Sequence, residues 1–269
     1  MSSTAAIHVK DDLPLERFSF LRSSSPDDVC ELMGKCLSPH ELNVVGDREM
    51  LDVHLNRVSI GELTIHTLKY GAEVTIDPGQ RGDFFMLQLP LRGYAELRSG
   101  SRQVQVNSGV MGVLYPRADT WMNWSADCSM IMLCASRAVI ERRLGHSHLT
   151  LNDSGLAAPR KDPAISAWWQ VTCDLVGNVD SHPEIWLQGT TASVAIEEFL
   201  LSGFANMLHN HCMAQTRSSF SEQGRELWPL HRAKNYILEH LDKPLRLQEI
   251  AQHARVSVRS LELLFKKWE

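Results

Sequence analysis

Short runs of alternating apolar and polar residues, separated by turn residues, dominate the middle of the chain from about Leu51 to Ala135. The segments between the runs are rich in glycine, proline, asparagine and serine, which favour turns. Short strands at this spacing are typical of a β-sandwich or a β-barrel. The predicted strands are Asp52–Val58, Leu63–Lys69, Ala72–Ile76, Phe84–Leu89, Gly93–Leu97, Arg102–Val106, Gly112–Tyr115 and Met130–Cys134.

Helical patterns lie on both sides of this β region. The segment Ser25-Pro26-Asp27-Asp28 combines a capping serine, a proline at the first helical position and acidic residues in the first turn, which predicts a helix over Pro26–Cys36. After the β region, apolar periodicity predicts three helices: Ala138–Leu144, Ala164–Val176 and Ile185–Cys212. The polar residues Gln215–Gly224 are the best candidate for a linker.

We therefore expect an α+β chain in three parts: a β-barrel domain over residues 1–135, a helical segment over 136–216, and a small all-α domain over 225–269. The 269 residues are 43% hydrophobic and 22% charged, as in a soluble globular protein. No stretch approaches the roughly 18 apolar residues of a membrane span. The N-terminus has no apolar core behind a basic start, so we expect a cytoplasmic protein without membrane partners.

Charge is distributed unevenly along the chain, although its formal net charge is −5. Residues 225–269 hold nine Lys/Arg against six Asp/Glu, a net charge of +3, whereas residues 1–224 carry −8. A nucleic-acid partner would therefore meet the C-terminal part. The six cysteines form no Cys-x-x-Cys pair, so free thiols are expected, with a redox pair of Cys30 and Cys36 as the open alternative.

The C-terminal part contains two short helical patterns joined by a tight turn. The first covers Leu247–Ala254, the turn is Arg255-Val256-Ser257, and Ser257 caps a second helix over Val258–Lys267. Two short helices with a three-residue turn match the helix-turn-helix plan. Spacing alone leaves an ordinary helical hairpin as the alternative.

These C-terminal residues resemble the first helix-turn-helix of the AraC/XylS family of bacterial transcriptional regulators. Parts of the β region resemble the cupin-like sensor domain of the XylS-related branch. The C-terminal segments that carry the likeness are Pro244-Leu245-Arg246-Leu247-Gln248-Glu249-Ile250-Ala251, Ser257-Val258-Arg259-Ser260-Leu261 and Phe265-Lys266-Lys267. The segments in the β region are Ser38-Pro39-His40, Tyr70-Gly71-Ala72-Glu73-Val74, Phe84–Gly93 and Trp124-Ser125-Ala126-Asp127-Cys128.

The resemblance has one departure. Family members carry two helix-turn-helix units, whereas this chain stops at Lys267-Trp268-Glu269, where the first recognition helix ends. We therefore expect residues 225–269 to be the N-terminal half of the DNA-binding domain, with only part of its groove contacts.

The resemblance implies promoter DNA as a partner and assigns the outward face of the second helix to it. Arg259 and Glu262 would read base edges, with Val258 beside them on that face. Lys266 and Arg255 would contact phosphates. The alternative for each charged residue is a solvated surface position.

The resemblance also implies a small-molecule effector inside the barrel, with an aromatic acid as the suspected class. A carboxylate needs a cation and an aromatic ring needs apolar walls. The first candidates are Trp121, His66, Arg81, Tyr70 and Phe85, and the further candidates are Arg57, Met86, Tyr115 and Trp124. For each of them the alternative is a plain core or surface position.

Further expectations concern assembly and chemistry. Helices after the barrel commonly pair protomers in this family, so Ile185–Cys212 is the expected homodimer element, and RNA polymerase is a partner if the protein is an activator. No cofactor, metal or enzymatic activity is expected, because the β region offers only His54 and His66 as histidine ligands. Two alternatives stay open: a cupin-type enzyme, and an effector-blind regulator or dimerisation module controlled by a protein partner.

Overall fold

The structure of the chain is a computed structural model. It describes residues 13–78, 82–99, 102–117, 119–144, 157–159, 163–186, 189–218, 233, 236–237, 245–254 and 256–268. The chain divides into two compact units, Met1–His211 and Cys212–Glu269, each of which is treated by itself. The expected linker Gln215–Gly224 lies largely outside the described residues.

The first unit is built on one antiparallel sheet of twelve described strands. They are β1 (Ser19–Ser23), β2 (Glu41–Val44), β3 (Val53–Ile60), β4 (Leu63–Lys69), β5 (Val74–Asp77), β6 (Phe84–Arg92), β7 (Tyr94–Ser99), β8 (Arg102–Asn107), β9 (Val110–Leu114), β10 (Trp121–Trp124), β11 (Ser129–Ser136) and β12 (Ala157–Pro159). Their order is β1-β3-β4-β11-β6-β9-β8-β7-β10-β5-β2, and β12 pairs with β9.

This sheet curls around one hydrophobic core, as a cupin-type barrel does. Every second residue of a strand points to the same face, and the inner-face residues of distant strands meet in a single cluster. Leu55 of β3, Leu68 of β4, Val106 of β8 and Trp124 of β10 all belong to it. The α+β architecture with a barrel-like sheet is therefore confirmed for this unit.

Helix α1 (Pro26–Cys36) contacts both β1 and β2, which are the two ends of the strand order. Its predicted bounds are confirmed, and the hydroxyl of Ser25 accepts a hydrogen bond from the Asp28 amide at 3.4 Å. Val29 and Met33 are its buried residues. The helix thus covers the inner face of the sheet where the two end strands approach it.

Three further helices follow the sheet strands along the chain: α2 (Arg137–Leu144), α3 (Pro163–Asn178) and α4 (Thr191–Ser218). The single helix expected over Ile185–Cys212 is wrong at its start. A 3-10 turn occupies Pro183–Trp186, Gly189 takes a left-handed conformation with φ of 82°, and α4 begins only after Thr190. The Thr190 hydroxyl accepts from the Ser193 amide at 3.0 Å, which caps the helix.

Four strands were not expected: β1, β2, β10 and β12. Each has only three to five residues. β12 lies within residues 136–216, which the sequence assigned to helices, and residues 136–211 fall in the same unit as the sheet.

In the second unit the structure describes a helix pair, α5 (Leu247–His253) and α6 (Val258–Trp268). Ser257 caps α6 as predicted, because its hydroxyl accepts from the Ser260 amide at 3.1 Å. The Val256 amide donates to the Ala251 carbonyl at 3.1 Å and holds the turn against α5. Five buried residues form the small core of this unit: Ala233, Ile250, Ala251, Ala254 and Leu261.

Candidate functional site

A cavity of about 440 Å³, including its mouth, lies on the inner face of the sheet beside α1. Strands, α1 and the loop after α1 all contribute to its walls. The lining residues are Met33, Leu37, Ser38, His40, Leu68, Tyr70, Ile76, Pro78, Phe84, Met86, Gln88, Leu114, Met122, Trp124 and Met132.

Strand alternation explains which side chains reach the cavity. On β6, Phe84, Met86 and Gln88 line it, so Phe85, between the first two, points to the opposite face. On β10, Met122 and Trp124 line it, and Trp121 lies on the other face. The side chains that a strand sends to the cavity are therefore fixed by its register.

Four methionines, Met33, Met86, Met122 and Met132, form much of the wall. The methionine side chain is unbranched, flexible and polarisable, so it adapts to ligands of different outline. Such walls favour an apolar molecule and specify its shape only loosely.

Three polar atoms at this wall are buried and have no hydrogen-bond partner in the described part of the chain: Gln88 Oε1, Trp124 Nε1 and His40 Nε2. The amide nitrogen of Gln88 faces the sulfur atoms of Met122 and Met86 at 3.4 and 3.8 Å, which are weak acceptors. Buried polar groups are nearly always hydrogen-bonded in proteins. At this cavity a bound ligand or an ordered water molecule can supply the partners of all three atoms.

Tyr70 lines the cavity and is fully buried. Its hydroxyl donates to the Met33 sulfur at 3.8 Å. Burial raises the pKa of this phenol far above its usual value, so that Tyr70 stays neutral. Tyr70 is the one of the five first effector candidates that the described cavity includes.

His66 and Arg57 lie opposite each other on β4 and β3, on the same face as Leu68. His66 is buried, and its Nδ1 lies 3.9 Å from the thiol of Cys134. Burial, with the positive charge of Arg57 as the second cause, lowers the pKa of His66 to about 3. The imidazole is therefore neutral near pH 7, and its Nε2 has no partner among the described residues.

Three of the first effector candidates do not line the described cavity. Phe85 packs on the outer face, edge-on to Tyr115 at 5.8 Å. Trp121 also lies on the outer face, with the guanidinium of Arg98 5.1 Å from its ring. Strand register thus places both side chains outside the described cavity. His66 is on the inner face without reaching the lining, and Arg81 lies outside the described residues.

Sequence reasoning missed His40, Met33 and Gln88 as members of the cavity wall. A signal was available for Gln88, since it is a polar residue at an inner position of the apolar run Phe84–Leu91. The sequence contained no comparable signal that α1 and the loop after it contribute residues to the cavity wall.

Helix α6 carries the second candidate surface. Arg259, Glu262 and Lys266 are exposed, together with Leu263, whose exposed fraction is 60%. Positions three, four and seven residues apart share one helix face, so these four side chains form one stripe. Val258 does not join them, because it packs partly buried against the small core. This placement corrects its expected outward position, and Arg255 lies outside the described residues.

Within the described residues, no three His, Cys, Asp or Glu side chains are grouped as metal ligands. Five cysteines are described as free thiols, among them Cys30 and Cys36, and burial raises the pKa of both. None of the described helices is long and apolar enough to cross a membrane.

Comparison with known proteins places these features in a family context. The model of the AraC-binding-like domain matches residues 29–204. The probable thc operon regulatory protein of Rhodococcus erythropolis is 25% identical over 238 residues, which cover 85% of this chain and 70% of that protein. The XylDLEGF operon transcriptional activator 3 of Pseudomonas putida is 22% identical over 224 residues, which cover 80% of this chain and 63% of the activator. This chain therefore matches less than two thirds of the activator's length.

Among solved structures, the AraC-like transcriptional activator CuxR shares the fold with a TM-score of 0.52 at 14% identity. The likeness covers 92% of this chain and 88% of CuxR.

Proposed function

Because the chain belongs to the AraC-binding-like domain family, as an AraC/XylS-type regulator, we propose that it binds promoter DNA through α6 and that a small molecule in the barrel cavity controls this binding. The regulator class follows from the family. The two sites, the ligand and the mode of control are proposals.

The exposed stripe on α6 is the observation that carries the DNA-binding proposal. The opposite face of α6 is held by Leu261, which is fully buried. The cap at Ser257 fixes the start of the helix. A helix held in this way presents Arg259, Glu262 and Lys266 together, as a recognition helix must for the major groove. Arginine suits a guanine edge and glutamate can accept from cytosine, whereas the lysine ammonium suits a phosphate.

The cavity supports the effector proposal. It is concave, apolar and provided with a few polar atoms, which is the usual make-up of a small-molecule site. The aromatic acid implied by the resemblance stays a prediction. A bound acid needs a positive charge beside its carboxylate. Arg57 is the arginine that the described strands place on the inner face.

The exposed face of α4 supports a homodimer. Val194 and Phe199 are exposed by 59% and 39%, and Phe199 lies on the helix face opposite the buried Leu201 and Leu208. Apolar side chains on a solvated helix face favour association with a second copy. The role of RNA polymerase as a partner depends on activation and stays a prediction.

Selection from a pool of random duplex DNA tests the DNA-binding proposal. The purified chain is incubated with the pool at low salt, and bound DNA is amplified and sequenced over several rounds. Enrichment of one motif supports the proposal. Retention of DNA without an enriched motif would argue against sequence-specific recognition by this chain. Addition of small molecules to the enriched complex then tests control by an effector.

A further inference from the structure

We propose that the barrel cavity binds a neutral, mainly apolar molecule that carries a hydroxyl or amide group, and that it rejects the corresponding carboxylate. This inference rests on the proposed effector function and names the chemical class of the ligand.

The walls argue first for a neutral ligand. Among the described lining residues there is no Lys, Arg, Asp or Glu. Transfer of an ionised carboxylate from water into such surroundings is costly unless a cation or several donors compensate it. A neutral molecule with an apolar body avoids this cost and buries its surface against the methionines.

Arg57 does not supply the missing cation at the cavity. It is absent from the described lining, and its guanidinium carbon lies 5.8 Å from the ring of Phe20 on β1, which is a sheet-end strand. His66 lies between Arg57 and Met132 across the inner face. Met132 lines the cavity, so a ligand meets its sulfur and not the guanidinium.

His40 offers the ligand a ring nitrogen without a partner. Its Nδ1 lies 2.9 Å from the carbonyl oxygen of Ser38. A carbonyl oxygen only accepts, so Nδ1 carries the proton. Nε2 is the other ring nitrogen, and it is buried without a partner in the described part of the chain.

Gln88 and Trp124 add one acceptor and one donor. Gln88 Oε1 and Trp124 Nε1 both belong to fully buried side chains that line the cavity, and neither atom has a partner among the described residues. A hydroxyl or a primary amide both donates and accepts, so it can satisfy atoms of both kinds. A carboxylate accepts only and would leave Gln88 Oε1 unpaired.

Matched pairs of amide and acid test the proposal, because each pair differs little in shape and fully in charge. The full chain is titrated by calorimetry at pH 7.5 with benzamide and benzoate, salicylamide and salicylate, and cyclohexanecarboxamide and its carboxylate. Benzyl alcohol and cyclohexylmethanol represent the hydroxyl class. We expect an amide or alcohol to bind at least tenfold more tightly than its acid.

Two conservative variants locate the binding site. Gln88→Leu and Trp124→Phe each remove one polar group and keep the apolar bulk, so each should weaken binding of the amide about fivefold, the effect of one hydrogen bond. Gln105→Leu, on the exposed face of β8, and Trp121→Phe, on the outer face of β10, are the matched controls. They should leave the affinity unchanged. Equal losses in a variant and its control would contradict the assignment of these atoms.

The outcomes separate this inference from the proposed function. Tighter binding of acids than of amides and alcohols overturns the neutral-ligand proposal and leaves effector control standing. Failure of every compound to bind overturns it as well, and enrichment of a DNA motif then shows whether the regulator proposal survives. Binding of amides without any enriched DNA motif supports the ligand class and counts against DNA recognition.

Discussion

The ring of Tyr70 meets the ring of Trp124 edge-on, with centroids 5.3 Å apart and planes inclined by 83°. Tyr70 directly follows β4, whereas Trp124 ends β10, and five strands separate β4 from β10 in the sheet. The contact therefore joins two distant parts of the sheet across its interior. Edge-to-face aromatic pairs add about 0.5–1.5 kcal/mol beyond the burial of their surface.

Loss of the Trp124 ring should destabilise the sensor unit severely. Trp124→Ala removes a fully buried side chain and its contact with Tyr70, so we expect the free energy of unfolding to fall by about 3–5 kcal/mol. Urea denaturation followed by circular dichroism measures this change. Trp121→Ala on the same strand should cost less, because Trp121 is only partly buried. Equal losses in the free energy of unfolding would show that the Trp124 ring stabilises the unit no more than the partly buried Trp121 ring does.

The strands with clear alternation were predictable from sequence, and the short ones were not. β4 was predicted with its observed bounds, since Leu63–Lys69 alternates between two turns. β2 and β10 have only four residues each. In such a short strand, pairing with neighbours far along the chain decides the conformation, and β10 pairs with both β5 and β7. A single sequence does not reveal these partners.

The candidate site was predicted only in part for a related reason. Residue types suitable for an aromatic ligand were found in the correct strands, but Phe85 and Trp121 lie one position away from the inner face. A one-residue shift in register moves a side chain to the opposite face of a strand. On α6, by contrast, the positions of Arg259, Glu262 and Lys266 followed from helix periodicity, which needs no distant partner.

Acid should destabilise the sensor unit through His66. Its pKa is lowered to about 3 by burial, so the folded state resists protonation while the unfolded chain takes up a proton near pH 6.5. The contribution of His66 to the free energy of unfolding is fully present above pH 6.5 and is lost as the pH falls toward 3. The loss should reach about 2 kcal/mol at pH 5, measured by urea denaturation at a series of pH values.

Two substitutions isolate the contribution of His66. His66→Gln removes the titrating ring and should flatten the decline of stability between pH 6.5 and 5. The control is His182→Gln, since His182 is exposed and should leave the decline unchanged. An unaltered pH profile in the His66 variant would assign acid sensitivity to other groups.

On α6, arginine and lysine should affect DNA binding differently. For a motif enriched by selection, Arg259→Ala should weaken binding by about 1–3 kcal/mol and relax the preference at one base pair. Lys266→Ala should weaken binding to all sequences alike and lower its salt dependence. Titrations of the motif and of scrambled DNA at several salt concentrations separate the two effects. A uniform loss on all sequences for Arg259→Ala would assign that residue to phosphate contact.

A charge on the exposed face of α4 should disrupt self-association. Phe199→Glu places a carboxylate in the proposed homodimer contact, where it would be desolvated without a partner. Sedimentation velocity over a range of concentrations should then show a monomer where the unaltered chain is dimeric. The control Gln252→Glu adds the same charge at an exposed position of α5, outside α4. A monomeric unaltered chain would refute the dimer proposal.

A carboxylate of α4 contacts the turn between β3 and β4. Glu197 on α4 accepts a hydrogen bond from the Glu62 amide at 2.8 Å, and its carboxylate occupies the place where a Cβ of residue 61 would stand, 2.0 Å away. Gly61 also has a φ of 53°, which side chains disfavour. Gly61→Ala should therefore lower the free energy of unfolding by about 1–3 kcal/mol, through both the strained backbone and the clash.

A double-mutant cycle distinguishes these two causes. Glu197→Ala removes the carboxylate, so adding it to Gly61→Ala should relieve the clash and leave only the backbone strain. The double variant should then be more stable than the sum of the two single losses implies, by about 0.5–3 kcal/mol. Simple additivity in urea denaturation would mean that the carboxylate end of the Glu197 side chain moves aside at little cost, and that Gly61→Ala acts through the backbone alone.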